Sequence, residues 1–121
     1  MTKKVLIADD EPNILITLEY LMKREGWSVS VARDGNEALA AVRRLKPALV
    51  LLDVMMPGKS GYEVLAAVRA DESLAGLKVL MLTAKGRDTD RAQGLGVGAD
   101  AYMTKPFSTQ ELAAKVRDML A

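Results

Sequence analysis

A chain of 121 residues, half of them apolar, is long enough to bury the core of one domain without staples. It has no Cys and no His, which excludes a disulfide framework and a zinc site of the usual kind; any bound metal should be a hard, oxygen-seeking ion such as Mg²⁺ or Ca²⁺. Its 17 basic and 16 acidic residues nearly cancel, only the short pairs Lys3-Lys4 and Arg43-Arg44 cluster, and no apolar run spans a bilayer, so the expectation is a soluble, cytoplasmic chain without direct nucleic-acid binding.

The first strand-like run is Val5–Ala8, and it ends in Asp9-Asp10-Glu11-Pro12. Adjacent carboxylates repel, and such crowding is usually tolerated where a cation or a catalytic task needs it. Pro12 suits the first turn of a helix whose inner face is Ile14, Leu15, Leu18, Leu21 and Met22. Trp27–Ala32 alternates with serine, as an edge strand does. Asp34 and Glu37 form a capping pair before a second helix with Leu39, Val42 and Leu45. Ala48–Leu52 is apolar throughout and leads into Asp53; Pro57-Gly58 marks a turn, and Ser60-Gly61-Tyr62-Glu63 reads as a capping box, with Gly61 letting the chain turn into a third helix bearing Val64, Leu65 and Val68. Val79–Leu82 is a fourth apolar run, followed by Thr83. The next segment, DTDRAQGLGVGAD, has a helical place in the pattern but carries Gly94, Gly96 and Gly98. At about 1 kcal/mol per glycine, that helix should be short or readily remodelled. A short strand, Ala101–Met103, precedes Lys105-Pro106. Ser108 and Glu111 then cap a last helix with Leu112, Val116, Met119 and Leu120, and Phe107 and Leu112 have the spacing of a hydrophobic staple.

Five strands alternating with five helices predict a single α/β domain over residues 1–121, a doubly wound parallel sheet covered on both faces. Strands one, three and four are apolar at nearly every position and should be central, which fits the order 2-1-3-4-5. Ligands of such sheets bind beyond the carboxyl ends of the strands, where the winding reverses. Asp9, Asp10, Asp53, Thr83 and Lys105 all fall at that rim. Singly, each has a plain explanation as a solvated turn, a cap, a strand former or a surface lysine. Their joint placement is what points to a site.

The motifs ADDE, LLDVMMPGKSG, MLTA and GADAYMTKPF, in this order and spacing, resemble the receiver domain of bacterial response regulators, the CheY-like family, along essentially the whole chain. The resemblance implies a flavodoxin/CheY-like fold and a two-component role, with Asp53 as phosphoacceptor for a sensor histidine kinase or phosphotransfer protein. By the family pattern, Asp10 and Asp53 bind Mg²⁺ directly, Asp9 helps through water and the Met55 carbonyl completes the protein ligands. Lys105, the Thr83 hydroxyl and the Ala84 amide would contact the phosphoryl oxygens. The resemblance also implies a cis bond between Lys105 and Pro106, which would aim the lysine inward, whereas the sequence alone allows an ordinary trans bond. The resemblance further implies that Met55 and Lys85 occupy positions that affect water access in this family, and so would tune the lifetime of the mark.

In the same pattern Tyr102 is an aromatic switch residue coupled to Thr83. Phosphorylation would alter the surface of helix four, strand five and helix five, and so control a downstream effector or fused output domain. Such a chain is a switch that acts on itself rather than a turnover enzyme. Where receivers that dimerise on this face often read GADDY, this chain reads GADAY; Ala101 removes an acid of those ion pairs although Arg91 and Glu111 remain, which argues against dimerisation there. Both a stand-alone receiver and a piece of a longer regulator fit the sequence.

Three other functions fit less well. A phosphohydrolase of the haloacid-dehalogenase kind needs an acid two residues after its nucleophile, where this chain has Met55. A flavodoxin-like cofactor binder needs a phosphate loop after strand one, where acids would repel the ligand. A receiver-like module that takes no phosphate usually lacks one of the key residues, and here all are present.

Overall fold

The computed structural model describes residues 2–84 and 98–121. Along the chain these form β1 (Lys4–Ala8), α1 (Pro12–Arg24), β2 (Ser28–Ala32), α2 (Gly35–Leu45), β3 (Leu49–Asp53), α3 (Gly61–Ala70), a short 3₁₀ turn (Glu72–Leu74), β4 (Lys78–Ala84), β5 (Ala101–Lys105) and α4 (Thr109–Leu120). The sheet is parallel throughout, in the expected order β2-β1-β3-β4-β5. Four α-helices stand among the described residues rather than the expected five. The helix expected over DTDRAQGLGVGAD, with Arg91, Gly94 and Gly96, lies outside the described residues except at its end, as does Lys85, so α4 is the helix expected as the fifth.

The two-residue period of the strands sorts the core into two layers. Leu6, Ala8, Val50, Leu52, Val79 and Met81 join residues of α2 and α3 on one face, while Val5, Ile7, Leu49, Leu51, Leu80 and Leu82 join α1 and α4 on the other. None of these twelve is more than 1% exposed, which is why β1, β3 and β4 read as unbroken apolar runs. The outer strands are only half covered: Val29, Val31, Ala101, Tyr102 and Met103 are partly buried.

Helix starts follow their caps. Ser60 and Glu63 form the full reciprocal box, and Asp34 and Ser108 each accept the backbone N–H three residues on, at 2.7 and 2.9 Å. Phe107 packs against the cluster that holds Leu112, as a staple should. Some strand limits differ from expectation. The Trp27 N–H bonds back to the Met22 carbonyl, so that residue closes α1 and β2 starts at Ser28. β4 and β5 run past their apolar residues because the pairs Thr83–Thr104 and Ala84–Lys105 continue the backbone ladder regardless of polarity. At the opposite end of these two strands, Arg69 of α3 donates to the Leu77 and Gly98 carbonyls at 2.7 and 2.9 Å and to Asp100 Oδ2 at 2.7 Å; the same oxygen accepts the Val79 N–H at 2.7 Å. No helix among the described residues is long and apolar enough to cross a membrane.

Because Leu51 is fully enclosed by α1, α4 and neighbouring strands, Leu51→Ala should cost about 2–5 kcal/mol in urea unfolding.

Candidate functional site

Among the described residues, three buried side chains are polar: Asp9, Asp53 and Thr83, at 0, 5 and 2% exposure. All three lie at the carboxyl end of the sheet, at or just past the ends of β1, β3 and β4. Burying polar groups is costly unless they are paired, so their collection at one rim needs a chemical reason.

Asp9 continues the ladder one step beyond β1, its N–H donating to the Ala32 carbonyl at 3.1 Å. Its Oδ1 accepts the Glu11 N–H at 2.9 Å, a local turn that launches α1 at Pro12, and its Oδ2 accepts from the Lys105 ammonium at 2.9 Å. Both oxygens of the enclosed carboxylate are therefore engaged by protein. Lys105 comes from the end of β5, where the Lys105–Pro106 bond is cis, and its Nζ also lies 3.3 Å from Asp53 Oδ1 and 3.9 Å from Glu11 Oε1. Asp10, on the solvent side, completes a trio: one carboxylate oxygen each from Asp9, Asp10 and Asp53 all fall within 4.8 Å of one another. Asp10, Glu11, Asp53, Met55 and Lys105 line an open cleft of about 250 Å³.

Electrostatics single out Asp53. Burial, then the charge of Asp9, push its pKa up to about 6, against the charge and hydrogen bond of Lys105 and the Met55 N–H, which favour ionisation. Burial pulls the Lys105 pKa down, but the hydrogen bond to Asp9 and the charges of Asp53 and Asp9 outweigh it and leave the ammonium held above its usual range. One ammonium cannot balance three carboxylates. The donors offered to the cleft are hard oxygens, which suits Mg²⁺ and no soft ion.

The other expected residues lie around this centre. Thr83 sits one residue beyond Leu82, the register partner of Asp53, and Ala84 pairs with Lys105. Tyr102 pairs with Met81 and packs against the core layer of α2 and α3; strand alternation puts Thr83 on that same face. Met55 is exposed at the cleft mouth. Glu11 was not expected as a site residue, although its place in the acidic run was the signal for it.

The family model described as the response regulator receiver domain matches residues 5–117. A protein described as a response regulator from Chloroflexus aurantiacus is 34% identical, with 99% of this chain and 98% of that one covered and a TM-score of 0.93. The chemotaxis protein CheY4 of Vibrio cholerae is 30% identical, with 98% and 99% covered and a TM-score of 0.91. The receiver domain of a signal transduction histidine kinase from Syntrophus aciditrophicus is 28% identical, with 98% and 90% covered and a TM-score of 0.91.

The raised Asp53 pKa carries a pH signature in metal-free buffer. Its folded value of about 6 lies above the ordinary 3.8, so the acid is easier to hold protonated in the folded state. Its contribution to stability is fully present below pH ~4, falls as pH rises through ~4–6, and stays low above that. Asp53→Asn removes this loss. In EDTA the variant should exceed the wild type by on the order of 2–3 kcal/mol at pH 8, with the difference shrinking toward pH 4 in urea titrations. A pH-independent difference would reject the electrostatic cause.

Proposed function

The chain belongs to the family of response regulator receiver domains, which work in two-component signalling, and we propose that it accepts a phosphoryl group on Asp53. The observation that carries this reading is Lys105, whose ammonium is shared by two buried carboxylates at the end of the sheet. Residues 1–121 act as one receiver domain in this reading, served by a sensor histidine kinase or phosphotransfer protein in the cytoplasm.

In the transfer, an ionised Asp53 oxygen attacks phosphorus and forms an O–P bond. The bond from phosphorus to the donor breaks, and its electron pair leaves with the donor atom; for a phosphohistidine this is an imidazole nitrogen, which then takes a proton from solvent. Mg²⁺, when bound, supplies the positive charge that three acids and an incoming phosphoryl group require. Asp10 and Asp53 would hold it directly, with the Met55 carbonyl and, through water, Asp9. The engagement of both Asp9 oxygens by Glu11 and Lys105 suits that indirect role. Lys105 then turns its charge to the phosphoryl oxygens, helped by the Thr83 hydroxyl and the Ala84 amide. The chain marks itself and turns over no separate substrate, so it is a switch rather than an enzyme.

The mark adds roughly −1.5 to −2 charge and new acceptor oxygens, which draw in Thr83 and Lys105. Tyr102, on the same face as Thr83, fills the space released. The surface of β5 and α4, with the segment between β4 and β5, changes, and an effector or fused output domain that prefers this surface binds more tightly.

Intact mass after incubation with acetyl phosphate should show one added phosphoryl group that requires both Mg²⁺ and Asp53. A gain that persists in Asp53→Ala would assign the wrong nucleophile; no gain in a folded wild type given a donor kinase would favour a phosphate-independent module. Tyr102→Ala should still gain the mass, while the phosphorylation-dependent chemical-shift changes over β5 and α4 shrink. Unchanged shifts in that variant would remove Tyr102 from the switch.

A further inference from the structure

The loop that follows Asp53 is gripped between the starts of two helices, and we propose that Gly35, the first residue of α2, is a positioning residue for the cation site. The inference rests on the receiver reading, in which Asp53 and the Met55 carbonyl are cation ligands.

On one side of the loop stands Gly61, at the start of α3. A Cβ there would lie 2.3 Å from the Asp53 carbonyl oxygen and 2.9 Å from Val54 Cα, and the Gly61 N–H donates to the Val54 carbonyl at 2.8 Å. This glycine serves close contact more than turning. The loop's beginning is also tied to β4, since the Val54 N–H donates to the Leu82 carbonyl at 3.1 Å. On the other side Gly35 is buried, and a Cβ there would lie 1.8 Å from the Lys59 carbonyl oxygen and 2.5 Å from its carbon. The Gly35 N–H donates to the Pro57 carbonyl at 3.2 Å. Between these contacts Gly58 takes φ 77°, and a Cβ on it would lie 2.7 Å from Asn36 Nδ2.

Neither side has room to give. α2 is fixed by Ala38, Leu39, Ala41 and Val42 in the core, and its first turn by the Asp34 cap. Any atom added at Gly35 must push the backbone of Lys59, and with Val54 pinned the displacement falls on Met55–Lys59. Mg²⁺ demands near-octahedral ligands at about 2.0–2.1 Å, so a shifted carbonyl is a lost ligand. Gly35 thus acts on the cleft through the loop without touching an acid of the trio.

Gly35→Ala should bind Mg²⁺ about tenfold more weakly in calorimetry, at a temperature where circular dichroism shows it folded. Its acetyl phosphate labelling should need correspondingly more Mg²⁺ yet reach the wild-type level at saturation. Leu45→Ala, which takes apolar volume from the far end of the same helix, should lose stability but keep its Mg²⁺ affinity. Should Gly35→Ala not fold, Gly58→Ala, whose Cβ would meet Asn36 Nδ2 at the same helix start, displaces the same loop and should weaken Mg²⁺ in the same way. Wild-type affinity in the folded glycine variants overturns the inference and leaves the receiver reading intact. No Mg²⁺ binding by the wild-type chain overturns the receiver reading, and this inference with it.

Discussion

One lysine holds the site together. The Lys105 ammonium arrives from the end of β5 and bonds with Asp9, from the end of β1, at 2.9 Å and Asp53, from the end of β3, at 3.3 Å. Removing these carboxylates from water is tolerable only because that charge lies between them. It is not enough to offset burial and the neighbouring Asp9, which still raise the Asp53 pKa to about 6. In the proposed reading a hard cation would add the remaining positive charge in the cleft that Asp10 and Asp53 line.

The sheet makes this contact possible. A lysine and two aspartates spread over nearly a hundred residues meet because parallel strands deliver all their carboxyl ends to one rim, and because β1 lies beside β3 at the centre. The core layers on both faces hold those ends still. Asp9 shows how local and global constraints coincide in one side chain, since one of its oxygens starts α1 and the other anchors the lysine.

Much of this was legible in the residues. Apolar runs such as Ala48–Leu52 placed the central strands because burial on both faces leaves no polar position, and serine alternation in Ser28–Ala32 marked an edge. Asp9, Asp10, Asp53, Thr83 and Lys105 could be placed on one rim from topology alone. Other features were not legible because they depend on contacts between distant segments. Nothing in a glycine's neighbours reveals that Gly35 lies against the Lys59 carbonyl. The ends of β4 and β5 escaped because ladder pairing is indifferent to side chains, so Thr104 and Lys105 belong to a strand that looked finished at Met103. Glu11 stood in plain view in the acidic run, but its approach to Lys105 depends on how α1 begins.

The tie between Arg69, Asp100 and the start of β4 has a consequence at the far end of β5. It fixes where that strand begins, so the chain spacing from Asp100 to Lys105 becomes a measuring stick of five residues, on the order of 16 Å in extended form. Adding or removing one residue within it would shift the ammonium by about 3.3 Å and turn it to the other face of the sheet.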